Sequence, residues 1–140
     1  MKDKVFLDTN ILLYLFSEDE PEKQAIGLSA LTGYACITST QAINELCNVF
    51  TKKWKLPIDN IEEAIQDIRN ICRIQLVDLS VVSCALKLHE KYGYAYYDCL
   101  MLAIAVLDNC RYVFSEDMKD GHIVDGVEIV NIFKRNKIKV

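Results

Sequence analysis

Val5-Phe6-Leu7-Asp8-Thr9-Asn10-Ile11-Leu12-Leu13 decides how this chain is read. Apolar residues with strand character run directly into an acid, and a second apolar run with helical character follows. A carboxylate at the end of a buried strand is unfavourable unless something pairs with it or binds it. Helix capping is the simplest account, with Asp8 or Asn10 capping a helix that begins near Ile11. One of the two suffices for that. Keeping both, two residues apart, points to a ligand (Asp8) with a hydrogen-bonding neighbour (Asn10).

Three further acids stand in comparable places. Asp98 opens Tyr96-Tyr97-Asp98-Cys99-Leu100-Met101-Leu102-Ala103. This stretch is apolar on almost every side and therefore reads as a buried helix, with the acid in its first turn where the macrodipole favours negative charge. Glu45 lies in Thr38-Ser39-Thr40-Gln41-Ala42-Ile43-Asn44-Glu45-Leu46. Thr38 with Gln41, or Ser39 alone, can cap that helix, and Glu45 is too far along to be a capping-box acid. Taken alone it reads as part of a solvated face. The segment Ser115-Glu116-Asp117-Met118-Lys119-Asp120 offers three acids, with Ser115 as a hydrogen-bonding neighbour. Asp117 is the candidate, although the residues themselves leave the choice open. If the fold gathers Asp8, Glu45, Asp98 and Asp117, they repel, by roughly 4 kcal/mol for a pair ~4 Å apart at an effective dielectric near 20. Such a cluster keeps its charges around a cation, and a divalent metal held by carboxylates is a tool for phosphoryl chemistry.

The chain has 140 residues, 51% hydrophobic and 26% charged, which suits one globular domain spanning 1–140 with a substantial core. No apolar run reaches the ~20 residues needed to cross a bilayer. Met1-Lys2-Asp3-Lys4 leads at once into the first strand, too soon for a signal peptide, so the expected location is the cytoplasm, with no membrane partner. The six cysteines form no C-x-x-C pair and sit among apolar neighbours, which reads as small buried hydrophobes in a reducing compartment. His89 and His122 lack partners at metal-ligand spacing. Net charge is −4, from 16 basic and 20 acidic side chains, so no global basic field attracts nucleic acid. A polyanion would have to be held by local lysine patches and bound cations. Lys52-Lys53-Trp54-Lys55 ends a helix, where cations suit the dipole, and the segment from Lys134 to Lys139 is the most basic.

Short runs rich in Val, Ile, Phe and Tyr predict strands over 4–8, 35–38, 75–79, 112–115 and 128–132. Longer periodic runs predict helices over 10–16, 22–31, 40–54, 61–71, 81–92 and 97–109. Pro21 opens one helix and Gly93 closes another. Asp59-Asn60-Ile61-Glu62 reads as a capping box, Asp78 as the end of a strand and Ser80 as a cap. Strands separated by helices imply an α/β fold with a parallel sheet covered on both faces and ligands at the carboxyl ends of its strands.

Phe6-Leu7-Asp8-Thr9-Asn10-Ile11-Leu12, Ser39 with Glu45, Tyr97-Asp98-Cys99-Leu100 with Ala103 and Ala105, and Ser115-Glu116-Asp117 together resemble PIN domains in order and spacing, from about Val5 to Ile132. The usual small residue after the third acid is Cys99 here. The resemblance implies a three-layer α/β/α fold with a five-stranded parallel sheet in the order 3-2-1-4-5. It implies a Mg²⁺- or Mn²⁺-dependent ribonuclease holding one or two ions through Asp8, Glu45, Asp98 and Asp117. It is also similar to the toxin half of VapBC toxin–antitoxin pairs, which implies an RNA substrate, a small antitoxin protein as partner and a homodimer. PIN nucleases that process RNA outside such pairs are the nearest alternative. An aspartyl phosphatase usually wants a second acid where Asn10 stands, and a phosphoreceiver wants paired acids where Thr9 stands. A non-catalytic binding domain would have no need to bear the mutual repulsion of four acids.

Overall fold

The computed structural model describes residues 1–134, so the basic segment expected after Lys134 lies outside the described residues. The chain runs β1 (Lys4–Leu7), α1 (Thr9–Phe16), α2 (Pro21–Gly33), β2 (Ala35–Ser39), α3 (Thr40–Lys52), α4 (Ile58–Ile71), β3 (Arg73–Gln75), α5 (Leu79–Tyr92), α6 (Tyr96–Leu107), β4 (Tyr112–Phe114), β5 (Ile123–Val124) and β6 (Val127–Val130). The sheet order is β3-β2-β1-β4-β6-β5. Strands β3, β2, β1, β4 and β6 are parallel, as the sequence predicts, and helices flank both sides. The sheet has six strands rather than five, because β5 joins antiparallel to β6 at the edge. Asp125 (φ 45°) and Gly126 (φ 89°) form the two-residue turn between them, both left-handed as a type I′ hairpin requires. Lys91 and the Tyr92 hydroxyl each donate to Asp125 Oδ1, at 2.9 and 2.7 Å, which pins this turn to the end of α5.

The centre of the sheet is dry. Val5, Phe6 and Leu7 of β1 are buried, and so are Cys99 to Ala105 of α6. Helix α6 touches β1, β2, β4 and β6 as well as α3 and α5, which explains why its sequence has no polar face beyond its first turn. The amphipathic helix α4 turns Ile61, Ala64 and Ile68 inward. All six cysteines are free thiols, four of them buried, in keeping with their apolar settings.

Three local expectations need correction. Strand β3 occupies 73–75 rather than 75–79, and Asp78 does not end it: its carboxylate accepts from the Val81 N–H at 3.0 Å and caps α5, the role expected of Ser80. Leu76 and Leu79, which suggested a strand, are 73% and 84% exposed. The capping box at Asp59 is absent too, because α4 begins at Ile58, directly after Pro57, with no side-chain cap. Pro21 does open α2, and Gly93 closes α5 in the left-handed conformation at φ 80°. An added Cβ at Gly93 would meet no atom within 4 Å, so Gly93→Ala isolates the backbone penalty. It should cost about 1–2 kcal/mol in urea-unfolding stability, with an unchanged m-value.

Candidate active site

Parallel register builds the centre. Leu7 of β1 pairs with Phe114 of β4, so the next residues, Asp8 and Ser115, emerge side by side at the carboxyl end of the sheet. The Ser115 hydroxyl donates to Asp8 Oδ2 at 2.7 Å, and the Thr9 N–H donates to Asp8 Oδ1 at 2.6 Å. Asp8 is therefore also the N-cap of α1. Both partners are neutral. They satisfy its oxygens without cancelling its charge, and the residue is only 4% exposed. Burial raises its pKa and these two bonds oppose the rise. Burial wins, with help from the charges of Asp117 and Asp98, and the pKa is pushed up to about 6.

The adjacent strand brings the second acid. Ser39 ends β2 and caps α3 alone, accepting from the Ala42 N–H at 3.1 Å, while Thr38 donates instead to the Leu7 carbonyl at 3.1 Å. Glu45 follows in the second turn of α3. The Thr9 hydroxyl donates to its Oε1 at 2.9 Å and the Gln41 amide to its Oε2 at 2.8 Å. Glu45 is thus oriented toward the end of β1 rather than merely solvated.

Asp98 lies in the first turn of α6, whose N-terminus has no side-chain cap. It makes no side-chain hydrogen bond or ion pair among the described residues. Partial burial raises its pKa, and the charges of Asp117 and Glu45 raise it further. Asp117, in the loop after β4, accepts from the Asn10 amide at 2.8 Å, and its own N–H donates to Ser115 Oγ at 3.2 Å. The loop's other acids are engaged elsewhere. Glu116 pairs with Lys23 and accepts from the Tyr14 hydroxyl, and Asp120 accepts from the Asn131 N–H at 2.8 Å. Asp117 is joined to Asn10 and Ser115, the residues beside Asp8.

The structure therefore brings Asp8, Glu45, Asp98 and Asp117 to one end of the sheet, with Asn10 and Ser115 beside them. Thr9 and Gln41 escaped the sequence reading. Gln41 carried a signal, since it stands four residues before Glu45 on the same helix face. Thr9 carried none.

A family model described as PIN domain matches residues 5–119. The chain belongs to the PIN-domain family. Among solved structures, this PIN domain is similar to a chain of a toxin–antitoxin complex from Klebsiella pneumoniae (TM-score 0.70, 22% identity, covering 91% of this chain and 97% of that one). It is also similar to the sarcin–ricin-loop-cleaving toxin VapC20 of Mycobacterium tuberculosis (TM-score 0.64, 14% identity, covering 81% and 91%). A third is VapBC2 of Rickettsia felis, bound to a promoter DNA fragment (TM-score 0.65, 15% identity, covering 90% and 96%). At these identities the likeness is one of fold. No match was found among curated proteins.

The donor set of this PIN domain suits a hard divalent cation. It offers only oxygens, several negative charges, and no lysine or arginine ion-paired to any of the four acids among the described residues. No ready-made cage of three or more His, Cys, Asp or Glu side chains is present among those residues. A cation that keeps part of its water shell, as Mg²⁺ does with one or two carboxylates, needs no such cage.

The raised pKa of Asp8 has a defined sign. Its folded-state value of about 6 lies above the ordinary 3.8, so its burial costs nothing below about pH 4. The penalty grows between pH 4 and 6 and is complete above that, at no more than about 3 kcal/mol. In chelator, Asp8→Asn should therefore stabilise the fold at pH 7.5 and lose that advantage at pH 4. Urea unfolding at both pH values measures this. An equal effect at the two would show that the buried charge is not the cause.

Proposed function

We propose that this PIN domain is a divalent-cation-dependent ribonuclease, using Mg²⁺ or Mn²⁺, and the toxin of a toxin–antitoxin pair. The observation that carries this reading is the meeting of Asp8, Glu45, Asp98 and Asp117 with no cationic side chain ion-paired to them among the described residues. Asp8, Asp98 and Asp117 would hold one or two ions, and Glu45 would complete the set. A bound divalent cation would lower the pKa of a water nucleophile and stabilise charge growing on the phosphate.

The chain's own residues do the arranging. Ser115 and the Thr9 N–H fix the plane of the Asp8 carboxylate, and each Asp8 oxygen retains acceptor capacity for a ligand. Thr9 and Gln41 hold Glu45 between two donors, and Asn10 holds Asp117. Such outer contacts orient ligands and sharpen their affinity. Below about pH 6 a proton competes for Asp8 and removes a donor. RNA in single strands or loops is the substrate class favoured, because its bases are open to side chains. The neighbours described as toxin–antitoxin and VapBC structures support an antitoxin as partner, and a small antitoxin and a homodimeric working form are part of the proposal. No helix among the described residues is long and apolar enough to cross a membrane; a cytoplasmic site of action is part of the proposal.

The purified chain should cut RNA in Mg²⁺ or Mn²⁺ and stop in chelator. Asp8→Asn and Asp98→Asn should each lower the rate by about 100-fold or more while retaining the fold by circular dichroism. Asn10→Ala and Ser115→Ala, which remove only supporting contacts, should lower it by about 10- to 100-fold. Unchanged cleavage in both aspartate variants would end this assignment. Calorimetric titration with Mn²⁺ supplies a second reading: affinity should fall between pH 7 and pH 5 in the unmodified chain, with a much weaker pH dependence in Asp8→Asn.

A further inference from the structure

Beside the acids lies a cavity of about 290 Å³ that the chemistry above does not use. Its floor is one face of α1, where Asn10, Leu13, Tyr14 and Ser17 recur at helical spacing. Its far wall is the end of α3, from Val49 to Lys53 and Trp54. Asn10 belongs to both places, since the residue that lines the cavity also holds Asp117. The cavity therefore runs away from the acids along about 10 Å of α1.

Its chemistry is graded. Leu13 and Val49 are apolar, and Asn10 and Ser17 are polar. Trp54 is half-buried, with its ring 5.3 Å from Phe50 at a tilt of 43°. The turn carrying Trp54 is fixed by three backbone bonds, from the N–H groups of Lys53 and Trp54 to the Val49 carbonyl and from Leu56 to Phe50, all between 2.9 and 3.0 Å. The indole N–H has no hydrogen-bond partner among the described residues. Lys52, Lys53 and Lys55 are exposed and form no ion pair among those residues, whereas Lys23, Arg73, Lys91 and Arg111 each do. Lys55 keeps its charge there in the left-handed conformation, φ 52°, where Gly or Asn is the ordinary choice. A rigid aromatic plane beside unpaired lysines, on a chain of net charge −4, is the pattern of a single-strand binding surface. A peptide groove would be more apolar and would have less use for the unpaired Lys53 in its wall, with Lys52 and Lys55 near it in sequence.

We propose that this cavity is a nucleotide subsite for the RNA strand entering the acidic centre, in which Trp54 stacks one base and Lys53 holds an adjoining phosphate. It rests on the ribonuclease reading for its substrate class. It also resolves an electrostatic difficulty, because a strand that must place one phosphate among four carboxylates is anchored by lysine a short distance away. Asn10 then joins the anchor to the centre.

Trp54 is the chain's single tryptophan, so its emission reports on this cavity alone. Asp98→Asn protein, used to stop cutting, is titrated with a short single-stranded RNA of mixed sequence. Tryptophan emission should be quenched in step with binding followed by anisotropy. Trp54→Ala, in the same background, should bind about 5- to 150-fold more weakly, and Trp54→Phe should recover most of the loss. Lys53→Gln, on an exposed position, should lower the slope of log affinity against log salt by about 0.7, the value for one single-strand phosphate contact. RNA binding with unchanged emission, and with an unchanged salt slope in Lys53→Gln, would overturn the subsite and leave the cavity to a protein occupant. The two readings fail separately. Quenching by RNA without cleavage by the unmodified chain would remove the nuclease and keep the subsite, while cleavage without quenching would do the reverse.

Discussion

The structure turns on one unneutralised carboxylate, that of Asp8, buried where the central strand ends. β1 lies between β2 and β4, so three strand ends meet there, and each supplies a neutral group: Thr38 on the Leu7 carbonyl, Ser115 on Asp8, and the Thr9 N–H from the helix that β1 feeds. A cationic side chain in place of the Ser115 hydroxyl would pair with Asp8 and hold its pKa down. Hydroxyls and amides instead hold the group in place and leave its charge unanswered. The same choice recurs at Glu45, between Thr9 and Gln41, and at Asp117, beside Asn10. The ion pairs among the described residues engage other acids: Lys23 with Glu116, Arg73 with Asp108, Lys91 with Asp125 and Arg111 with Asp3.

Much of this was legible in the sequence, for a physical reason. Charges that break an apolar pattern are visible because the pattern is strong, so Asp8 after Val5-Phe6-Leu7 and Asp98 before Cys99–Ala105 stood out at once. Glu45 did not, since its helix has polar neighbours on the same face, and only the fold turns it toward Thr9. The fourth acid was ambiguous because its rivals are engaged over long range, Glu116 by a lysine 93 residues away and Asp120 by the backbone of Asn131. Local misreadings had local causes. Val77 and Leu79 look like strand residues, yet the Val77 N–H bonds to Thr40 Oγ1 and Asp78 caps α5, so the ladder ends at Gln75. Strand β5 is two residues long, too short for a periodic signal, and the Asp125-Gly126 turn dipeptide beside it went unread.

Solved structures at 14–22% identity share this chain's fold at TM-scores of 0.64–0.70, so the fold tolerates wide replacement of side chains. What must be kept is narrower: residues that end parallel strands in register, and a helix that can lie across the sheet centre. Helix α6 meets the second need with seven consecutive buried residues, Cys99 to Ala105. That run leaves no room for a hydrated face, which is why its one acid stands in the first turn.

The four acids consequently rest on foundations of unequal firmness. Asp8 and Asp98 issue from β1 and α6, which are packed into the dry centre of the sheet. Asp117 belongs to an exposed loop held by Asn10, Ser115 and the Lys23–Glu116–Tyr14 contact. A brief detachment of that loop would withdraw one carboxylate while the other three stayed in position. The fourth carboxylate is thus the one whose position depends on loop contacts rather than on a strand or helix packed in the core.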